Sequence, residues 1–305
     1  MRSLFKFFKL KEATPTFTPL SGPSGHRGGH DERPLRAPKS LASLTGNIMS
    51  NQVFLLLTHL TDCQSHAEFS KIRKAVPEGS QAFMLFHCQG QKAPSFSGDI
   101  HKFTDQDLKT IGFPMFFDTI VPGSTHFPVL EFARKYPIYD FYWVIEYDVC
   151  FSGDWKKLFR HYQTSRADLL TCHIRQYHEE PDWHWWGLRH PQNAISLTER
   201  LRSFNPIYRI SSSALSFIDR MHQDQWTGHY EELLPTLLFH NGYQLQDIGG
   251  TGPFVKQGDR NRFYIDSPKD HKGELKKGTI RFRPPFTQPG WRWNKLYHPV
   301  KRPLA

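Results

Sequence analysis

Apolar residues along this chain gather in short runs separated by stretches of helical spacing, and the alternation begins near Asn51. VFLLLTHL (53–60) has the length of a buried strand, whereas AEFSKIRKAV (67–76) spaces its apolar positions for one helix face. QAFMLFHC (81–88) predicts a second strand, followed by a loop containing Gly90 and Pro94. THFPVLEFARKYP (125–137) predicts a helix stopped by Pro137. A strand over 141–149 and a helix over 153–164, capped by Asp154, come next, and then a strand over 167–174. The second half is less regular. It predicts a helix near 197–203, a strand and then a helix within 203–223, a helix over 229–242 ended by Asn241-Gly242, and a short strand over 243–249. The alternation implies an α/β fold, a mixed and mostly parallel central sheet flanked by helices on both faces. Ligands in such folds bind beyond the carboxyl ends of the strands.

Residues 1–50 have no such period and are rich in Pro, Gly, Ser, His and Arg, which reads as a disordered basic leader before one domain over 51–305. Its first residues alternate Phe5, Phe7, Phe8 and Leu10 with Lys6, Lys9 and Lys11, a pattern suited to peripheral contact with a membrane surface. Lysines interrupt any secretory apolar run, and no stretch approaches the ~20 apolar residues that span a bilayer, so a cytoplasmic protein is expected. The net charge of +10 adds a preference for anionic partners. Four scattered cysteines make no disulfide framework.

One stretch breaks the pattern. FYWVIEYDVCFSGDW (141–155) runs as a buried strand and then offers Glu146 and Asp148, one residue apart. In an extended chain both carboxylates point to one face, where they repel unless a cation lies between them. A divalent metal is the simplest such cation. A strand that merely ends there would leave both acids in solvent.

WVIEYDV after the alternating start, HYEE opening a late helix and LYHPVK near the C-terminus together resemble the GT-A class of nucleotide-sugar-dependent glycosyltransferases. The resemblance spans roughly residues 51–300. It implies a GT-A-like, Rossmann-like fold, with 51–175 as the nucleotide-sugar-binding half and 176–305 as the acceptor half and closing tail. In that class a D-x-D motif, here E-x-D, binds metal. Asp148 would hold Mn²⁺ or Mg²⁺ against the donor diphosphate, Glu146 would touch the metal through water or hold the donor ribose, and His298 would close over the diphosphate. Thr58 and His59 would lie beside the nucleoside, with UDP favoured and the base otherwise open. Glu231 or Glu232 would activate the acceptor hydroxyl, and a base in that role gives inversion. An acid at a helix N-terminus is expected to stay ionised.

Trp183, Trp185 and Trp186 suit a sugar acceptor, since aromatic faces stack on pyranose rings, or else pack as a tryptophan-rich loop. The implied activity is metal-assisted transfer of a sugar to a hydroxyl of a glycan, lipid-linked saccharide or protein. Two alternatives stand beside it. One is an inactive glycan-binding or scaffold relative; the other is a nucleic-acid module using the basic, aromatic tail around Arg281, Arg283, Trp291, Arg292 and Trp293. No recognised nucleic-acid motif accompanies that tail, so no specific nucleic-acid partner is expected.

Overall fold

In a computed structural model, the described residues are 50–90, 99–117, 120–267 and 275–301. The leader and its membrane-contact pattern at 1–11 lie outside them. The elements run β1 (Gln52–Thr58), α1 (Cys63–Ala75), β2 (Gln81–His87), β3 (Asp99–Phe103), α2 (Asp105–Thr110), α3 (Phe127–Lys135), β4 (Phe141–Glu146), β5 (Cys150–Phe151) and α4 (Trp155–Tyr162). Then follow β6 (Leu169–Gln176), β7 (Leu201–Ser211), α5 (Ser212–Gln223), α6 (Tyr230–His240), β8 (Leu245–Asp247) and β9 (Leu296–Tyr297).

Seven strands form one sheet in the order β3-β2-β1-β4-β7-β6-β8, and its mixed, mostly parallel character is the one the alternation predicts. Pairing is parallel except on the two sides of β7, which runs antiparallel to β4 and β6. Period-two alternation sends Val53, Leu55 and Val144 to a core shared with α3, α5 and α6. Phe54, Leu56, Trp143 and Ile145 go to the opposite core, under α1 and α4. Both faces are thus covered, and burying each such side chain contributes about 1.5–3 kcal/mol.

The strands after β1 step away on one side through β2 and β3, whereas β4 pairs with β1 on the other. The carboxyl ends of β1 and β4 therefore flank a topological switch point, the place where open α/β sheets bind ligands. Local signals hold the frame. Asp154 caps α4 by accepting from Lys156 N at 3.0 Å, as its position predicts. The end of α6 at Asn241 also agrees, with Gly242 at φ 78° supplying the left-handed turn.

Three expectations change. The helix near 197–203 is a single 3-10 turn, Leu197–Glu199, because Leu201 already enters β7 and all of β7 is buried. The segment after β2 is more than a loop, since it holds β3 and α2, the latter closed by a Thr104–Asp107 capping box. The strand expected over 141–149 stops at Glu146. Asp148 lies in the turn that follows, so the pleat alone does not align the two acids.

Among the described residues, no helix is long and apolar enough to cross a membrane.

Candidate metal and ligand cleft

The turn after β4 brings the acids together by a different route. Val149 N donates to Glu146 O at 3.0 Å, closing the turn, and Val300 N donates to Asp148 O at 2.8 Å, tying it to the tail. Next to it, β5 pairs with β9 through Cys150–Tyr297 and Phe151–Leu296. That short ladder delivers His298 onto the acid pair. Its Nε2 lies 3.6 Å from Glu146 Oε2 and 3.4 Å from Asp148 Oδ1. The ligand-type atoms of Glu146, Asp148 and His298 all fall within 4.8 Å of one another.

The chemistry of this set fits a divalent cation. His298 Nδ1 donates to the Arg281 carbonyl at 3.0 Å; a carbonyl can only accept, so in the neutral ring the lone pair sits on Nε2 and faces the acids. Asp148 Oδ1 is buried without a hydrogen-bond partner among the described residues. Two carboxylates and one imidazole form a mixed hard donor set suited to such ions. Burial alone would lower the His298 pKa, but Asp148 and Glu146 outweigh it and push it up to about 10. Burial raises Glu146, against the opposing pull of His298. For Asp148, burial is outweighed by His298 and Lys301, whose Nζ lies 3.8 Å from Oδ2, and its pKa is lowered.

Thr58 and His59 close the neighbouring side of the cleft. Tyr147 N donates to Leu57 O at 3.0 Å, and the His59 ring meets Tyr147 edge-on at 5.1 Å. Thr58 Oγ1 is engaged by Leu60 N, and the His59 pKa is lowered by burial and by His87.

The two glutamates at the start of α6 separate cleanly. Glu232 is fully buried and accepts from Gly187 N (2.7 Å), Leu188 N (2.8 Å) and Arg200 Nη1 (3.0 Å). Its carboxylate pins the loop after Trp186. Glu231 accepts from Asn205 N at 3.1 Å and feels the charges of Glu146 and His298. Burial, partly offset by Arg202, pushes its pKa up to about 7. The helix N-terminus thus does not keep this acid fully ionised, because desolvation exceeds the macrodipole. His229, buried and lowered to about 3, is a neutral neighbour that accepts from Glu231 N.

Of the tryptophans, Trp183 is buried, with the Arg202 guanidinium 4.5 Å above its ring and Trp186 against its edge. Its faces are occupied by protein. Trp185 stacks on His229 at 5.3 Å and is half-buried, as is Trp186.

Residues the sequence reading passed over also line this region. Phe204 packs edge-on against His298 at 5.3 Å, and Asn205 accepts from Thr171 while its Nδ2 has no partner among the described residues. The Tyr208 hydroxyl, within electrostatic reach of Glu146, is likewise unpartnered among them. Pairing between β4 and β7 stops at Ile145–Ile207, so the two strands part where Phe204 and Asn205 project, while Tyr208 still pairs with Val144. Lys301 had a signal, since it closes the LYHPVK string itself. Asn205 and Tyr208 had none, because only the antiparallel register of β7 carries them there.

No family model and no curated protein matches this chain. Among solved structures it is similar to a protein assigned as a glucose-1-phosphate thymidylyltransferase from Bacillus anthracis, in complex with sucrose. The two share 10% identity over 66% of this chain and 87% of that one, with a TM-score of 0.37. A likeness that slight says nothing about activity, and the cleft is read on its own geometry.

Proposed function

We propose that this protein is a metal-assisted, nucleotide-sugar-dependent glycosyltransferase with one GT-A-like catalytic domain. The observation that carries the reading is the Glu146–Asp148–His298 cluster beyond the carboxyl end of β4, with the buried Glu231 within electrostatic reach of it. A divalent ion held by these three residues would neutralise the charge that grows on a leaving diphosphate. Asp148 and His298 are its firmest ligands, being buried and held by Val300 N and the Arg281 carbonyl. Lys301 adds positive charge beside the same oxygens. Thr58 and His59 border the nucleoside side.

Glu231, not Glu232, takes the base role. Its pKa of about 7 lets it accept a proton from an acceptor hydroxyl at neutral pH, whereas Glu232 is committed to two backbone amides and Arg200. Trp185 and Trp186 keep partly open rings for a sugar acceptor; Trp183 packs against Trp186.

A second reading has an observation of its own. His298 Nε2 and Lys301 Nζ lie 3.4–3.8 Å from the two carboxylates, so the chain's own basic groups can offset the acids, as an inactive relative with a binding role would require. Thermal shifts with UDP, GDP, CDP and ADP, each with Mn²⁺ or with EDTA, separate the two in wild type and Asp148→Ala. A metal-dependent rise for one nucleotide, absent from the variant, supports the transferase. A folded wild type that no nucleotide shifts would overturn it.

A further inference from the structure

Outside the cleft, the most exposed large hydrophobic side chains among the described residues belong to one loop. Trp291 is 90% exposed and Trp293 is 72% exposed. Their backbone is firmly held. Ser152 Oγ donates to Arg292 O at 2.6 Å, and Arg292 N donates to the Tyr297 hydroxyl at 3.2 Å. Tyr297 in turn meets Phe286 edge-on at 5.2 Å. The indoles project from a fixed platform, so their exposure is a built feature of the loop.

The surroundings are cationic. Gly153, just before α4, lies so close to the loop that a Cβ there would meet Asn294 Oδ1 at 2.4 Å. This contact, with Ser152 Oγ donating to Arg292 O, sets the 291–295 loop beside the start of α4, whose exposed residues include Lys156, Lys157 and Arg160. The Lys295 pKa is lowered by burial and then by Arg292, Arg262 and Lys157, a sign of how closely these cations crowd. The nearby acids are engaged, Asp154 in capping α4 and Asp259 with His161 and Arg262.

We propose that the 291–295 loop and the first turns of α4 form a docking surface for an anionic lipid bilayer. Indoles favour the boundary between headgroups and acyl chains, and flanking cations meet the negative surface potential of the leaflet. A bilayer is also the partner that can surround a side chain projecting on all sides. Single-stranded nucleic acid stacks its bases along a groove, and an indole exposed to 90% has no second wall to form one. This surface is independent of the donor-site reading, although its chain runs directly into β9 and His298.

Co-sedimentation of the full-length protein with vesicles tests the surface, using phosphatidylcholine alone and with about one third phosphatidylserine to supply the anionic potential. Trp291→Ser/Trp293→Ser and Lys156→Glu/Lys157→Glu are compared with wild type, their melting temperatures confirming that they fold. Wild type is expected to pellet with the anionic vesicles and not the neutral ones. Each double variant should partition at least about tenfold more weakly. Undiminished binding by the tryptophan variant would overturn the proposal and move lipid contact elsewhere, residues 1–11 first. Absence of anionic-vesicle binding would also overturn it, as would variant-sensitive binding to single-stranded nucleic acid alone.

Discussion

Replacing each glutamate of the HYEE pair by glutamine removes charge with little change of shape, and the two substitutions should have opposite effects. Glu231 has a pKa of about 7 where an unburied glutamate has 4.5. Between those values the folded state holds a proton that the unfolded state has released, so stability falls as pH rises from 4.5 through 7. The loss amounts to about 3 kcal/mol by pH 8.5, at about 1.4 kcal/mol per pKa unit. Glu231→Gln escapes it. In metal-free buffer the variant should match wild type near pH 5 and melt roughly 6–12 °C higher at pH 8.5, while donor turnover falls by about 10²–10⁴.

Glu232→Gln should do the reverse. One amide oxygen can still serve Gly187 and Leu188, but the amide NH₂ then faces Arg200 Nη1 across 3.0 Å. Breaking that pair should destabilise by about 2–3 kcal/mol at both pH values, with the surviving folded fraction active. Differential scanning fluorimetry across pH, paired with a donor-hydrolysis assay, reads both. A Glu231→Gln protein that is destabilised equally at pH 5 and 8.5 would refute the desolvation argument. Full activity in that variant would refute the base assignment.

Other expectations rest on a buried arginine and on buried histidines. Arg209 is fully buried and donates to the carbonyls of Tyr162 (2.8 Å), Ser165 (2.8 Å) and Ala167 (3.1 Å) at and beyond the end of α4. Arg209→Leu should therefore cost about 3–5 kcal/mol in urea denaturation, and a neutral result would mean water replaces the guanidinium. His222 and His229, lowered by burial to about 4 and 3, must remain neutral in the fold. Because the unfolded state binds their protons first, stability should fall as pH drops from 6.5 towards 4, by about 4 kcal/mol between pH 7 and 5. The slope should flatten in His222→Leu, whose wild-type ring bridges His126 Nε2 and the Trp226 carbonyl.

Much of the frame was legible because doubly covered strands read as unbroken apolar runs, and because Asp154 and Gly242 mark helix ends locally. β7 was harder to see from its start. Arg202, Ser203, Asn205 and Arg209 are buried within it, and their partners, Glu180, Glu231 and the carbonyls after α4, are remote in sequence. A strand whose polar groups are satisfied at long range carries no local period to betray it. The cleft divides in the same way. The two acids announced themselves by adjacency, but the side on which His298 arrives depends on a two-residue ladder about 150 positions away. Which glutamate faces inward depended on the loop amides at Gly187 and Leu188, which spacing does not encode.

The late arrival of His298 has a consequence for how the protein is made. The seven-stranded sheet is complete with β8 at Asp247, and about fifty residues must still be synthesised before His298 and Val300 reach the turn after β4. At ~5–20 residues per second that interval is roughly 3–10 s. Throughout it, Glu146 and Asp148 face one another without the imidazole that later offsets them. A nascent chain can therefore hold all the strands of the large sheet while still chemically blind, with Phe263, Tyr264, Ile280 and Leu296 yet to join the core under α1 and α4. Clipping the polypeptide after Asn294 would hold it there, leaving every strand of the large sheet present and its acid pair without His298.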